Sequence, residues 1–499
     1  MQGLIRLIPT SILHNLTMKK IQDYKKFKKF FLKQDPDDLE LIRRKYLLYT
    51  FSKNSQRIPH YKKFLEKNNF DPKSIKSVED FMNNLPETDK HNYVFNAERV
   101  NDLCVDGDYH NISMLVKSSG HSGRQCYWVR SHKADSFGKV GLTIGLDENF
   151  NITNKKTLII NGFILGSWVT GITFSDFASS NCPVINIGAN KEEILQTINE
   201  IGNQFEQIII TGYPPFVKEL VDYGIEIKFP WKKHDINFAV GGEDFPESWR
   251  DYIQKITYSE KIRSGFGASD IGILGGIETD DTVYIRRLAD TNEKIKKALF
   301  GDVEDTPMLF QYPLSLFAYQ NKNRELIFTS ILPEDAEPMI NYNLKDIGGV
   351  ITYRNMQQIL LEFGISRKFN LPLSFLYVVG RKDGSVKFHA FLIYPENIQE
   401  AIYKDKNISK FVTGKFHIKN VVSSDHEHKL RIDFELRQGA KKNSKIEQEF
   451  SNSICNTLQN VNEGYKLVYN RIGKKAMPLI VLHEFGKFPY QSNIKNKYN

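Results

Sequence analysis

Cysteine is scarce in this chain. Its 499 residues hold four, Cys104, Cys126, Cys182 and Cys455, and none forms a Cys-x-x-Cys pair. That scatter argues against a zinc site and for a reducing compartment. Long apolar runs are missing too. The longest uncharged stretch, residues 157–175, is broken by Asn161, Gly162, Gly166 and Gly171. It reads as strand, turn and buried helix, so no transmembrane span is expected. The N-terminus lacks a continuous apolar segment followed by small residues; no signal peptide is expected, and the expected location is cytoplasmic. No basic stretch with interleaved aromatics forms a recognisable module, which disfavours nucleic acid as a partner. Internal repeats and low-complexity tracts are absent as well.

What is present suits a globular chain of two or more domains with a large core. The net charge is +9, from 68 basic and 59 acidic residues, spread over many lysine-rich stretches. One denser cluster, Lys19 to Lys29 (KKIQDYKKFKK), follows the run Leu4 to Leu16. It reads either as a membrane-surface helix or as the solvated face of an ordinary helix.

The stretch 115–129, LVKSSGHSGRQCYWV, concentrates unusual chemistry. Two β-prone runs flank Ser118, Ser119, Gly120, His121, Ser122, Gly123 and Arg124. Glycines three apart, hydroxyls around them and a following cation would let backbone N–H groups converge on phosphate oxygens. A plain Ser/Gly hairpin turn explains the same letters. The spacing is not that of a Walker loop.

Residues 12–68 carry a helical pattern, with Asp35-Pro36-Asp37-Asp38 as break and N-cap signal. From 156 onward, strands and helices alternate. Strands are expected at 157–160, 183–187, 207–210 and 236–240. Helices are expected at 164–178, 191–201, from Pro214, and at 246–254. Such alternation implies a doubly wound α/β sheet with right-handed crossovers. Its ligands would sit off the carboxyl ends of the strands, where Gly241-Gly242-Glu243-Asp244 and the loop Gly265 to Asp270 fall. Residues 281–353 look β-rich, with strands at 282–285, 309–312, 325–329 and 349–353, and suggest a smaller antiparallel unit or barrel. Beyond the turn-rich joint Gly380 to Gly384, strands and two helices near 396–404 and 444–459 suggest a separate α+β domain.

Singly these loops are common; their order is not. SSGHSGR, GGED, GFGASD, YNLKD, GRKD and a lysine near the end, preceded by RIPHY and LPETDK, resemble the adenylate-forming (AMP-dependent synthetase/ligase) superfamily, and within it the phenylacetate–CoA ligase-like branch. The resemblance implies a large N-terminal α/β domain of doubly wound sheets with a small β-rich subdomain, and a small mobile α+β C-terminal domain. On this sequence it gives a helical lead-in over 1–110, an ATP- and carboxylate-binding domain over 111–380, and the mobile domain over 381–499.

It also implies roles. Ser118, Ser119, Gly120, Ser122, Gly123 and Arg124 would cradle the β- and γ-phosphates of ATP, with His121 able to donate to them. Gly241 and Gly242 would lie against adenine, with Glu243 and Asp244 beside them. Within the nucleotide-binding segment Phe266, Gly267, Ala268 and Ser269, Phe266 would stack on the base and Ser269 contact the α-phosphate. Asp270, where the family usually has glutamate, would take Mg2+. Asp346 would accept from the ribose hydroxyls and Arg381 approach the same sugar. Asp383 would be the hinge, and Lys495, or its neighbour Lys497, the mobile catalytic lysine. Phe163, Trp168 and Tyr213 lie where the branch places its carboxylate substrate, although core packing explains them equally. Asp270 could otherwise be a helix cap, Asp346 a turn residue, and Arg381 with Asp383 a surface pair.

The implied activity is ATP-dependent adenylation of an aryl or acyl carboxylate, then transfer to coenzyme A. Four departures qualify it: His121 for threonine, Arg124 for lysine, Lys345 for the glycine before Asp346, and Ala390 for a hinge-segment glycine. The last narrows the expected pantetheine path and leaves open transfer to a carrier-protein thiol, an amine or a sugar hydroxyl. A non-catalytic nucleotide-binding scaffold also stays open, as do the oligomeric state and the identity of the acid.

Overall fold

The structure is a computed structural model that describes residues 8–489 apart from 22, 110, 122–123, 304, 382–383 and 424. The chain divides into two units. The first comprises Met1–Ser118, Tyr127–Gly212 and Leu220–Gly380; the second comprises Ser119–Cys126, Tyr213–Glu219 and Arg381–Asn499.

In the first unit, the helix Pro36–Asn54 starts where its signals ask. Asp35 caps it by accepting from the Asp37 N–H, Pro36 occupies the first turn, and Asp37 and Asp38 face the positive end of the helix dipole. The lysine cluster falls on two helices, Thr10–Ile21 and Tyr24–Phe31. Phe31 is buried with Leu39, Ile144, Leu371 and Leu373, while Lys28 pairs with Asp147 and, at 2.6 Å, Glu148. One face of this segment is therefore committed to the protein body.

Strands β1 (Ile112–His121) and β2 (Arg124–Ser131) form a two-stranded ribbon. An eleven-stranded sheet follows, built from β3 (Thr157–Asn161), β4 (Val184–Asn186), β5 (Gln207–Gly212), β6 (Ile236–Gly241), β7 (Ile262–Ala268), β8 (Gly272–Ile277), β9 (Met308–Gln311), β10 (Leu316–Gln320), β11 (Glu325–Ser330), β12 (Tyr342–Ile351) and β13 (Phe375–Arg381). Its order is β10-β11-β12-β13-β9-β8-β7-β6-β5-β3-β4. Strands β4, β3, β5, β6 and β7 run parallel with helices in their crossovers, as the alternation implies. Strands β3 and β5 are buried throughout, which is why they read as continuous apolar runs.

Five expectations are corrected. Residues 282–285, read as a strand, lie in the helix Asp280–Thr291. Thr279 and Thr282 form a capping box there and Asp280 and Asp281 fill the first turn, which outweighs the β-branched letters. No separate barrel follows, because β10, β11 and β12 extend the same sheet antiparallel. β12 stops at Ile351, and Thr352 caps a helix beginning at Tyr353. The helix expected from 164 starts at Val169. A bend precedes it, with Gly166 at φ +99°, and a Cβ at Gly171 would fall 2.3 Å from the Ile164 carbonyl oxygen. Gly265 to Ala268, read as a loop, end β7 instead, and only the residues after them turn.

The second unit carries the hairpin β14 (Val386–Phe388) and β15 (Phe391–Ile393), then a sheet in which β16 (Val412–Val422) pairs antiparallel with β17 (His428–Leu436) and β18 (Leu479–His483) parallel with it. Helices Pro395–Lys404, Ser444–Val461 and Glu463–Ile472 complete it. Phe416, Phe434 and Phe450 pack in its core. The whole is a large mixed-sheet α/β unit followed by a small α+β one. Among the described residues no helix is long and apolar enough to cross a membrane, and the four cysteines are buried and form no disulfide.

Candidate nucleotide and carboxylate site

The segment Leu85 to Lys90 is tied to the chain at the start of β12. The Thr88 N–H donates to the Asn341 carbonyl at 3.0 Å and the Asn343 N–H to the Thr88 carbonyl at 2.8 Å. The Thr88 hydroxyl donates to the Ile340 carbonyl at 2.8 Å. This anchoring sets two charged side chains. Asp89 accepts from the His91 and Asn92 N–H groups and pairs with Lys345 at 2.8 Å. Burial would raise its pKa, but Lys345 and those N–H groups offset that and hold the carboxyl below the usual range.

Lys90 reaches the turn after β7. Its ammonium lies 3.2 Å from one Asp270 oxygen, and the Tyr342 hydroxyl donates to the other at 2.6 Å. The same ammonium sits 5.9 Å from the centroid of the Trp128 ring, within cation–π reach. Trp128 stands edge-on to Tyr342 and donates its indole N–H to the Ser118 hydroxyl at 3.2 Å. Lys90, the β1–β2 ribbon with Ser118 and Trp128, Asp270 and Tyr342 thus converge from four segments far apart in sequence.

The glycines nearby have backbone reasons. Gly241 ends β6 in register with Gly265, and a Cβ on it would fall 2.9 Å from the Gly265 carbonyl oxygen. Gly242 takes φ +89°. Glu243 is buried and Asp244 exposed at this carboxyl end of β6. A Cβ on Gly267 would fall 2.8 Å from the Ile273 carbonyl oxygen. Phe266, expected to stack on a base, is instead 5% exposed, with its ring 5.7 Å from Phe310 and 6.1 Å from Phe328. Ala268 is the last residue of β7, and Ser269 opens the turn that carries Asp270. Asp346 is buried in β12, directly after Lys345, which holds φ +66°. That angle gives a conformational reason for the glycine expected there.

Phe163 packs with Phe174 in the core beside β3 and β5, and Tyr213 is 2% exposed within the second unit. Trp168 lies alongside β1, its ring centroid 5.8 Å from the Lys117 ammonium. Arg381 donates from Nε to the Ser385 hydroxyl at 2.7 Å. Ser119, Gly120, His121 and Arg124 are described as strand backbone only, whereas Ser122, Gly123, Asp383, Lys495 and Lys497 lie outside the described residues. Sequence reasoning passed over Lys90, Trp128 and Tyr342 as site residues. Their signals were LPETDK, the strand after the Ser/Gly loop, and the first letter of YNLKD.

Among the described residues no group of three or more His, Cys, Asp or Glu is placed to hold a metal ion. One carboxylate suffices for magnesium that arrives on phosphates, and Asp270 is such a hard oxygen donor. A cation there would share it with Lys90 and Tyr342.

No protein-family model matches the sequence, and no curated protein matches it by sequence search. Solved structures do match in shape. A 2-hydroxyisobutyryl-CoA ligase, in complex with 2-HIB-AMP and CoA in its thioesterification state, superposes with a TM-score of 0.62 at 12% identity, over 92% of this chain and 88% of that one. The fold is that of the adenylate-forming ligases. The same ligase in an open conformation with 2-HIB-AMP and CoA gives 0.55 at 12% identity, over 93% and 92%. In its postadenylation state with R3-HIB-AMP it gives 0.51 at 11%, over 92% and 88%. Within this adenylate-forming fold, the described residues link Asp270 to Ser118 by way of Tyr342 and Trp128, and set Gly242 and Glu243 at the end of the strand beside β7.

Proposed function

We propose that this chain adenylates a carboxylic acid with MgATP and transfers the acyl group to coenzyme A, as an acid–thiol ligase of the phenylacetate–CoA ligase-like type. The observation that carries the reading is the Asp270 carboxylate, held by Tyr342 and Lys90 just past the carboxyl end of β7 in this fold. In the first step a carboxylate oxygen of the acid attacks the α-phosphorus, the bond to the bridging oxygen breaks, and pyrophosphate leaves. In the second, the thiol sulfur attacks the acyl carbon, its proton passes to solvent or a base, and AMP departs. The first step sets an anion against a polyanion, so charge neutralisation and in-line holding are what the protein must supply.

Ser118 and the Ser/Gly segment after it, with Arg124, suit the outer phosphates. Gly241, Gly242 and Glu243 suit the base, Asp346 and Arg381 the ribose, Ser269 the α-phosphate, and Asp270 the magnesium that comes with ATP. Lys90 adds a cation beside Asp270. Lys495 would bridge the substrate carboxylate and the nucleotide, and Asp383 would serve as hinge for the second step.

One observation favours a second reading. Ala390 holds φ +71° in the turn between β14 and β15 and puts a methyl where the family's hinge segment carries none. The same adenylation with transfer to a carrier-protein thiol, an amine or a sugar hydroxyl is then the alternative.

Isotope exchange between pyrophosphate and ATP across a panel of carboxylic acids tests adenylation, and product analysis with and without coenzyme A tests the acceptor. Measurable ATP binding with no exchange for any acid would leave only a nucleotide-binding scaffold. Lys495→Ala is expected to abolish exchange while sparing thioester formation from supplied acyl-AMP. Full exchange in that variant would transfer the role to Lys497 or remove it.

A further inference from the structure

Two cavities in the first unit share walls. The smaller, about 150 Å³, is lined by Ser269 and Asp270 together with Trp128, Val169, Phe177 and Leu274. The larger, about 400 Å³, is lined by apolar groups such as Phe27, Phe31, Leu39, Val140, Ile144 and Ile277. Gly138, Leu274, Ser315 and Leu332 border both. The space at Asp270 therefore adjoins a second, greasier one.

One residue of that common border, Gly138, belongs to a glycine row whose next member, Gly141, lines the larger cavity. Gly138, Gly141 and Gly145 fall on one side of the helix His132–Phe150. A Cβ on Gly141 would meet Leu274 at 3.5 Å, one on Gly145 would meet Ile277 at 3.1 Å, and one on Gly138 would fall 2.4 Å from the Phe177 ring. Across the larger cavity lie the two lysine-rich helices. His14 stands 2.5 Å from Glu334 and 3.3 Å from the Tyr46 hydroxyl, while Lys28 is fixed to Asp147 and Glu148. These polar anchors hold the helices in place over an apolar space that side chains leave unfilled.

Contiguous apolar surface that solvent can reach marks ligand-binding grooves, and Leu16 and Phe30 on the rim of this one are exposed. Its volume lies within the ~300–1,000 Å³ range of small-molecule sites. Among its described lining residues only Lys20 is charged, and that ammonium lies 3.3 Å from the Phe30 ring centroid. Its polar lining is confined to a few groups such as Thr17, Gln34, Tyr46 and Gln311 among many apolar ones. The acidic groups of the smaller cavity do not oppose an acid either. Asp135 is paired with Arg130 at 2.9 Å, and burial pushes Asp335 and Glu337 towards their neutral forms.

We propose that the acid is a medium- or long-chain aliphatic carboxylate, with its carboxyl end at Ser269 and its alkyl chain running past Leu274 into the larger cavity. The assignment rests on the adenylation reading above. It sets the acyl part of the substrate in a channel for a flexible chain rather than against Phe163 and Trp168.

The test is pyrophosphate exchange with straight-chain acids from acetate to palmitate, with phenylacetate beside them. The expected result is a roughly fourfold gain in kcat/KM per added methylene until the cavity is filled. Gly141→Leu and Leu274→Trp, each checked for an unchanged thermal midpoint, should lower the palmitate-to-hexanoate ratio by about tenfold or more. A direct measurement needs no activity: palmitate, but not phenylacetate, should displace cis-parinaric acid from the unmodified chain. Highest kcat/KM for acetate or phenylacetate, or no displacement by palmitate, overturns the assignment and leaves adenylation standing. Displacement by palmitate without exchange for any acid supports the chain site and removes the adenylation reading instead.

Discussion

Tyr342 donates its hydroxyl to the Asp270 carboxylate at 2.6 Å, on the oxygen that Lys90 does not approach. Tyr342 opens β12 and Asp270 lies in the turn after β7, so the bond joins strands that are not neighbours in the sheet. Tyr342→Phe keeps the ring and removes only the donor. If Asp270 meets the magnesium of MgATP, that variant should raise the magnesium concentration needed for half-maximal pyrophosphate exchange by about ten- to a hundredfold. An unchanged magnesium titration would make the contact purely structural.

Glu337 is 5% exposed and accepts from the Val129 N–H at 2.5 Å. Burial, reinforced by Asp335 and Asp270, raises its pKa well above 4.5. A carboxyl with a raised folded pKa keeps its proton where the unfolded chain has lost one. Its contribution is therefore intact below pH 4.5 and falls as pH rises towards the folded pKa. Glu337→Gln cannot ionise, so its stability relative to the parent should grow with pH between 4.5 and the folded pKa, by up to ~1.4 kcal/mol per pH unit, and level off above it. Urea midpoints at mildly acidic and neutral pH check this; parallel curves would refute it.

His389 and Ala390 hold φ +49° and +71° in the two-residue turn between β14 and β15. Such turns favour Asn-Gly because both central residues need positive φ. Ala390→Gly should stabilise the chain by about 1 kcal/mol, read as a higher urea midpoint. Lys345→Gly should gain less, since relief of its φ +66° is offset by loss of the Asp89 pair. Equal gains would contradict this account.

Arg250 is 1% exposed and bonds both carboxylate oxygens of Glu247 and both of Glu278. Glu278 also accepts from the Ser264 N–H at 2.7 Å, which ties the network to β7. Arg250→Leu leaves buried carboxylates without their main cation and should cost about 3–5 kcal/mol. Adding Glu278→Leu should restore part of the loss. A mild single-variant effect, seen in thermal or urea unfolding, would argue against a net-charged network.

Much of the framework was legible because its signals are local. Asp35-Pro36 announced one helix, and Asn190 caps another over the expected Lys191–Ile201. The buried parallel strands β3, β5 and β6 announced themselves as short apolar runs. The misreadings have equally specific causes. Residues 282–285 look like a strand letter by letter, and only the capping box before them makes a helix. Gly265 to Ala268 look like a loop because glycine and alanine dominate, yet they pair with neighbouring strands. Phe163 and Tyr213 are buried, which the letters did not reveal, since an aromatic letter does not say which way its ring turns.

The letters alone settled the alternation of strands and helices, the α/β class and the order of the glycine- and hydroxyl-rich segments, since caps, periodicity and turn chemistry act over a few residues of chain. Only the three-dimensional packing decided that Lys90, Trp128 and Tyr342 meet Asp270, and that a glycine-faced helix leaves an apolar cavity next to it. Those outcomes depend on close approach between segments distant along the chain, which no local pattern encodes.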